Sequence, residues 1–295
     1  MQTKDYLLKI IDDKQNVRVW LAHTSHLVEE AHRRHATSAT ASAALGRVLT
    51  AAVMMGSDLK GEQDLLSLRI NGNGPAGTII ATADGHGNVK GFISEPQADL
   101  PSRYPGKLAV GELVGKEGFL EVIKDLGLKQ PFVGKVPLVS GEIAEDLAQY
   151  LLLSEQIPAL VSLGVLVGTD LHILAAGGLI VQALPGADDE ILTVLENNIL
   201  SLNHISELIN THETLEEIVP SIMQGVAYTI IGEQKLAFRC QCNRERLGII
   251  LAGLEEEELR EAIEKNENIE AVCNFCQEVY SFSPQEIQVI QSKKP

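Results

Sequence analysis

All four cysteines of the chain fall between Phe238 and Phe282, in the stretch FRCQCNRERLGIILAGLEEEELREAIEKNENIEAVCNFCQEVYSF. Cys240 and Cys242 form a C-x-C pair, Cys273 and Cys276 form a C-x-x-C pair, and 30 residues separate the two pairs. Four soft ligands in two close pairs point to a tetrahedral thiolate site, because each pair grips one edge of the tetrahedron and the intervening segment folds back to join them. Zinc is the metal such a set takes by default. Two short disulfides are the alternative, since residues that chelate one ion also lie near enough to oxidise to each other. The two readings are compatible.

At 295 residues the chain is long for one compact domain, so two domains, or one with an appendage, are expected. The start, MQTKDYLLKIID, has no basic-then-apolar signal region, and the uncharged run from Ala159 ends at Asp170. That run is well short of the roughly 20 apolar residues of a membrane span. A cytoplasmic protein without a membrane partner is therefore expected. In that reducing compartment four cysteines held as static disulfides are disfavoured, which turns the reading toward metal or redox chemistry.

The net charge of −16 is unevenly placed. From Val136 to Gln234 there are 99 residues with 14 carboxylates and no Lys or Arg, while residues 1–135 sum to +1 and residues 235–295 to −3. A long acidic middle repels nucleic acid and anionic lipid, and repels itself when compact.

Hydrophobic patterning predicts strands over Tyr6 to Ile11 and Val17 to Leu21, a helix from Thr24, and an alanine-rich helix from about Thr37 to Met55. Ala41, Ala44, Ala51 and Ala52 leave the second helix small on all sides, fit to lie between a sheet and another element. Leu65 to Ile70, Thr78 to Ala83 and Val89 to Ile93 are β-rich runs separated by NGNGPAG and DGHGN, the pattern of antiparallel hairpins. Gly72, Gly74 and Gly77 match G-x-G-x-x-G, but the β-branched TIIAT that follows cannot be the helix that would hold a pyrophosphate, so a glycine-rich hairpin is expected.

After a loop with Pro96, Pro101 and Pro105 come further strands at Gly118 to Lys124 and Phe132 to Pro137, a helix opened by Ser140-Gly-Glu-Ile and running to about Ser154, and strands at Leu160 to Val167 and Leu171 to Leu184. Hairpins mixed with helices read as α+β, with antiparallel sheets in an N-terminal domain over 1–184. From Pro185 the pattern becomes helical, with Asp188, Asp189 and Glu190 in the first turn and an apolar stripe of Ile191, Leu195, Leu202 and Ile205 widened by Leu192, Ile199 and Leu208. These helices carry carboxylates with no basic partner, so packing must hold them, and residues 185–231 read as a helical linker, either a conditional element or one packed permanently. Residues 232–295, which hold the four cysteines, are expected to form a small C-terminal zinc-binding domain.

Other constellations are weaker. Glu29-x-x-His32 is half of a di-iron helix motif of which two copies are needed, so a solvated helical face is expected, with His32 and His35 at the surface. The chain has no G-x-S-x-G, no G-x-x-x-x-G-K-[ST] and no H-E-x-x-H. A purely structural zinc ribbon on nucleic acid is disfavoured by the acidic C-terminal domain and by the two further negative charges, approximately, of a zinc tetrathiolate. Arg239, Arg244 and Arg246 are expected to offset the charge of the thiolate cluster.

FRCQCNRER, then CNFC and YSF, resembles the 33-kDa chaperonins, the redox-regulated heat-shock holdases of bacteria. RINGNGPAGTIIATADGHGNVKGFISEP, SGEIAEDLAQYLLLSEQIP and AAGGLIVQALPGA are similar to that family's blocks in their order, so the resemblance covers all three regions. Two departures are Asn243, where Ser is common, and CNFC, where an acidic residue often precedes the Phe; neither removes a ligand. The resemblance implies ATP-independent holding of unfolding proteins. It implies that Cys240, Cys242, Cys273 and Cys276 bind one zinc when reduced, and that oxidation joins Cys240 to Cys242 and Cys273 to Cys276 with zinc release. The linker then loosens, exposes apolar surface and captures clients, and the active form is a homodimer. The alternative from another class is a zinc-dependent or thiol-redox enzyme, which would turn over a small substrate where a chaperone would not.

Overall fold

The computed structural model describes residues 4–102 and 106–292, so Pro105 of the proline loop and the first three residues lie outside it. By internal contacts the chain divides into two compact units, residues 1–239 and 240–295.

The first unit opens with β1 (Tyr6–Asp12), β2 (Val17–His23), α1 (Ser25–His35) and α2 (Ala39–Gly56). A meander follows of β3 (Leu65–Asn71), β4 (Thr78–Asp84) and β5 (Asn88–Ile93), then α3 (Val110–Val114), β6 (Phe119–Asp125), β7 (Phe132–Pro137) and α4 (Ala144–Leu153). The long pair β8 (Ala159–Val167) and β9 (Ile173–Ala183) precedes α5 (Asp189–Ser201), α6 (Ile205–Thr211), a 3-10 turn at Leu215–Glu217 and α7 (Val219–Ile222). β10 (Tyr228–Lys235) and the short β11 (Ala237–Phe238) end the unit. Two sheets result, in the orders β10-β1-β2-β9-β8 and β11-β5-β4-β3-β6-β7, antiparallel throughout except for the β11–β5 pair. This is the expected α+β architecture.

Helix α2 explains how both sheets fit in one core. Its N-cap Ser38 accepts from the Ala41 N–H at 3.1 Å, and Ala41, Ala44, Ala51 and Ala52 are all fully buried. A Cβ at Gly46 would stand 2.6 Å from Val28 Cγ1 and 2.8 Å from Val165 Cγ2, so the helix lies as close as a glycine allows. One cluster joins α2 to Leu66, Leu68, Ile79 and Ala81 of the six-stranded sheet and to Trp20, Ala22, Leu163 and Ile180 of the five-stranded one. By length and composition α2 could cross a membrane, but 83% of it is buried in this core. Its C-terminus is closed by Lys9, whose Nζ donates to the Ser57 carbonyl at 2.6 Å and pairs with Asp58 at 3.0 Å.

The five-stranded sheet is buried on both faces. Alternation sends Trp20 and Ala22 toward α2, and Val17, Val19 and Leu21 to the opposite side. There they meet Leu195, Ile205, Ile209, Leu215, Ile218, Val219 and Ile222 from the helices after residue 185. Two glycines permit the approach: a Cβ at Gly164 would stand 2.9 Å from three atoms of Ser206, and one at Gly177 would stand 2.2 Å from Ile209 Cδ1. The Tyr6 hydroxyl ties the 3-10 turn to β1, accepting from the Leu215 N–H at 2.6 Å and donating to Glu216 at 2.8 Å.

Several local expectations change. The helix opened by Ser140 begins at Ala144, because the fully buried Asp146 carboxylate accepts the N–H groups of Val139, Ser140 and Ile143 at 2.7, 3.1 and 2.9 Å and shapes residues 139–143 into a turn. Residues 228–231, within the stretch read as helical, start strand β10, which pairs with β1. The G-x-G-x-x-G stretch is a hairpin turn: Gly72 and Gly74 lie against the backbone of Leu113–Gly115, where a Cβ would come within 2.5 Å, and Gly77 has φ +65°. His35 is buried at 8% exposure and His32 is half-buried, its Nδ1 3.1 Å from Thr37 Oγ1 and 3.0 Å from Ser42 Oγ, because α1 packs on α2 through this side. Glu29 turns instead to His172 at 2.7 Å and the Ile173 N–H at 2.8 Å.

The second unit consists of α8 (Arg244–Leu251), α9 (Glu256–Lys265), the hairpin of β12 (Ile269–Val272) and β13 (Val279–Phe282), and α10 (Pro284–Ser292). Its buried cluster consists of Leu247, Leu251, Leu259, Phe282 and Ile287, with partly buried neighbours that include Tyr280 and Cys242.

The glycine contacts make one expectation testable. Gly164→Ala pushes α6 off the sheet and lowers stability by roughly 1–3 kcal/mol, the usual cost of overpacking. Chemical denaturation should show this as a lower midpoint, with faster proteolytic cleavage around residues 202–215.

Candidate metal centre

The four cysteines that sequence spacing groups together do converge. Their sulfurs all lie within 4.8 Å of one another, and among the described residues this is the one cluster of three or more His, Cys, Asp or Glu side chains so arranged. Cys240 Sγ is 3.8 Å from Cys273 Sγ, and Cys242 Sγ is 3.4 Å from Cys276 Sγ. All four are free thiols, Cys273 and Cys276 buried and the other two half-buried.

Local structure positions both arms. Cys273 and Cys276 sit at the tip of the β12–β13 hairpin, where the Cys273 N–H donates to the Glu278 carbonyl at 2.9 Å and the N–H groups of Cys276 and Gln277 donate to the Cys273 carbonyl at 3.3 and 2.8 Å. Gln277, at φ +60°, reverses the chain. The C-x-C arm ends at Asn243, the N-cap of α8, whose side chain accepts from the Arg246 N–H at 2.9 Å. Asn caps as well as the Ser common in the resembling family, so this departure leaves the start of the helix intact.

The electrostatics favour a cation. Burial raises the Cys240 and Cys276 thiols above their ordinary range, and the neighbouring sulfurs raise Cys276 further. Burial also works to raise Cys242, but donors on its sulfur, the Tyr280 hydroxyl first among them, outweigh it and leave that thiol lowered. The bond to Cys242 pushes Tyr280 itself up to about 12. Four thiolates cannot share this volume without a counter-charge. A tetrahedral ion with bonds of about 2.3 Å separates its sulfurs by about 3.8 Å, so the sulfur spacings fit such an ion.

Arg244 is placed differently from the expectation. Arg244 makes a bidentate pair with Glu286, at 2.8 and 2.9 Å from its two oxygens, and stacks over Phe282 at 4.6 Å. Glu286 in turn accepts from the Ser283 N–H and hydroxyl at 2.9 Å, which anchors the start of α10. Position N1 on α8 aims Arg244 at β13 and α10, so it braces the fold and does not face the sulfurs. Arg246 donates to the Gln241 carbonyl at 3.2 Å and so supports the residue between the two cysteines, while the Arg239 N–H bonds to Val89 in the first unit.

Tyr280 is the residue that spacing missed, its hydroxyl 3.4 Å from Cys242 Sγ and 3.3 Å from the Cys242 carbonyl. A signal existed in VYSF, where alternation puts Tyr280 and Phe282 on the inner face of β13 and Val279 and Ser281 outside.

A closed set of four thiolates should hold one metal ion per chain in reduced protein, and any one Cys→Ser change should leave well under one. Protons compete for the same sulfurs, and the raised Cys240 and Cys276 compete for them effectively, so metal affinity should fall as pH falls. Elemental analysis after dialysis at stepped pH checks both points.

Comparisons with known proteins identify the family. The family model described as Hsp33 protein matches residues 5–283. A "33 kDa chaperonin" of Desulforamulus reducens is 49% identical over 287 residues, covering 97% of each chain. One of Oceanobacillus iheyensis is 44% identical over 285 residues, covering 97% of this chain and 98% of that one. The crystal structure of the 33 kDa chaperonin of Thermotoga maritima superposes with a TM-score of 0.90 at 35% identity over 99% of both chains. From Asp5 through the cysteine cluster to Ser283, the chain belongs to the Hsp33 family.

Proposed function

We propose that this protein is a redox-regulated, ATP-independent holdase, inactive while reduced and zinc-bound, that captures unfolding proteins after oxidation. The observation that carries this reading is the pairing of a four-thiol cluster with a buried core of five residues in the second unit. So small a core leaves most of the domain's folding free energy to a metal, which at a structural site contributes on the order of 10 to 16 kcal/mol. The relatives' name, chaperonin, supports a protein that holds others and turns over no substrate. Its clients are unfolding cytoplasmic proteins, and its active form is a homodimer.

The chemistry needs a two-electron oxidant, such as a peroxide, and two thiolates for each bond. A cysteine thiolate attacks one peroxide oxygen, an S–O bond forms as the O–O bond breaks, and hydroxide leaves to take up a proton as water. A second thiolate attacks the sulfenic sulfur, the S–S bond forms, and the remaining hydroxide leaves as a second water. Two thiolates, one hydrogen peroxide and two protons thus give one disulfide and two waters. In the folded cluster the contacts at 3.8 and 3.4 Å run between the arms, Cys240 to Cys273 and Cys242 to Cys276, so the local pairs require the fold to loosen first. Once the metal has gone, Cys240 with Cys242 and Cys273 with Cys276 need the least chain closure, so these local pairs form.

Residues 1–184 act as the scaffold, 185–231 as the linker that opens, and 232–295 as the switch. The linker carries eight carboxylates, Asp188, Asp189, Glu190, Glu196, Glu207, Glu213, Glu216 and Glu217, and no Lys or Arg. Self-repulsion weakens it, while Leu195, Ile205 and Ile209 and the sheet face beneath them supply apolar surface to a client. Treated with hydrogen peroxide, the protein should suppress aggregation of a heat-labile client, and untreated it should not. Peptide mapping should find the two local disulfides. Equal suppression before and after oxidation, or mainly cross-arm disulfides, would contradict the reading.

A further inference from the structure

The Tyr280 ring packs on the five-residue cluster of the second unit, and its hydroxyl reaches Cys242 through both the sulfur, at 3.4 Å, and the carbonyl, at 3.3 Å. A sulfur that ligates a metal carries no proton, so the hydroxyl is the donor in this contact. Between a neutral carbonyl and a charged sulfur, charge favours the sulfur. The nearby arginines are committed elsewhere, Arg244 to Glu286 and Arg246 to the Gln241 carbonyl. On the Tyr280 side, Glu278 is the charged group nearest in sequence and adds no donor.

We propose that Tyr280 is a positioning residue of the redox switch, whose hydroxyl bond to Cys242 Sγ restrains that sulfur's attack on peroxide and so sets how much oxidant the metal-loaded protein tolerates. The proposal rests on the redox reading above. In the loaded state all four cysteines are thiolates, so the thiolate fraction no longer separates them, and nucleophilicity and access do. The lone pairs on Cys242 that accept the tyrosine proton belong to the atom that must form the S–O bond as the O–O bond breaks and hydroxide leaves. Charge moves off sulfur along that path, so the hydrogen bond is stronger in the starting thiolate than in the transition state. It therefore adds to the barrier.

The test uses the full-length, zinc-loaded chain. Tyr280→Phe keeps the ring and its packing, so it should retain one zinc per chain and the wild-type melting temperature. Under hydrogen peroxide, zinc release followed with a chromogenic chelator should be roughly 3- to 10-fold faster, the factor that part of a charge-assisted hydrogen bond supports. Alkylation by iodoacetamide, mapped by peptide, should accelerate at Cys242 and not at Cys240. In the cobalt-substituted protein the sulfur-to-cobalt charge-transfer band should move to lower energy, since the sulfur lone pairs lose a stabilising donor. Site-specific 3-fluorotyrosine at 280 is a stronger donor that keeps the native contact, and should slow release and move the band the opposite way. This second variant decides the matter if the phenylalanine protein fails to load. Equal release rates and unmoved bands across the variants, or acceleration spread over all four cysteines, would overturn the role of Tyr280 while leaving the redox reading intact. A wild-type protein that keeps its zinc under peroxide would overturn both.

Discussion

Four sulfurs drawn within 4.8 Å of one another are the constraint on which the second unit depends. As thiolates they repel one another, so their arrangement suits a cation at its centre. The rest of the unit is arranged around that fact. Asn243 starts α8 directly after Cys242, Gln277 turns the hairpin directly after Cys276, and the Arg244–Glu286 pair braces α8 against α10 and β13. With a buried apolar cluster of five residues, such a fold has little reserve once the cysteine cluster is disrupted.

The first unit solves the opposite problem, a surplus of apolar surface. Its five-stranded sheet is apolar on both faces; α2 covers one, through a seam of alanines and glycine, and α5 to α7 cover the other. That second cover is acidic and has no Lys or Arg of its own, so side-chain packing and bonds such as those of Tyr6 hold it in place. A lid that is apolar beneath and self-repelling above is well suited to conditional exposure. Its burial takes the apolar face out of water, and its like charges oppose close packing of the helices.

Much of this was legible in the sequence, for physical reasons that differ by element. The cysteine cluster was legible because short ligand spacings leave little conformational choice, and the hairpins of β3 to β5 because glycine turns and strand alternation are local signals. Helix α2 could be placed between layers because alanine at Ala41, Ala44, Ala51 and Ala52 has few other uses at such density. Strand β10 was not legible: it is a mostly exposed edge strand held by β1, more than two hundred residues away, and its sequence carries no hairpin turn. Asp146 hid the turn before α4, since a buried carboxylate that caps three N–H groups looks in sequence like an ordinary helical acid. Arg244 was misassigned because charge near a thiolate cluster was weighed without direction, and Tyr280 was passed over because a phenol is not a metal ligand.

The central claim is that loss of the metal opens the acidic cover and leaves the scaffold folded. Hydrogen exchange on the reduced, zinc-loaded protein and on the peroxide-oxidised protein tests it most directly. The account predicts that protection is lost across residues 185–231 and 240–292, while the strands and α2 within 4–184 keep most of theirs. If the cover stays protected after zinc release while client binding still develops, the binding surface lies elsewhere, and the coupling between cluster and cover is refuted.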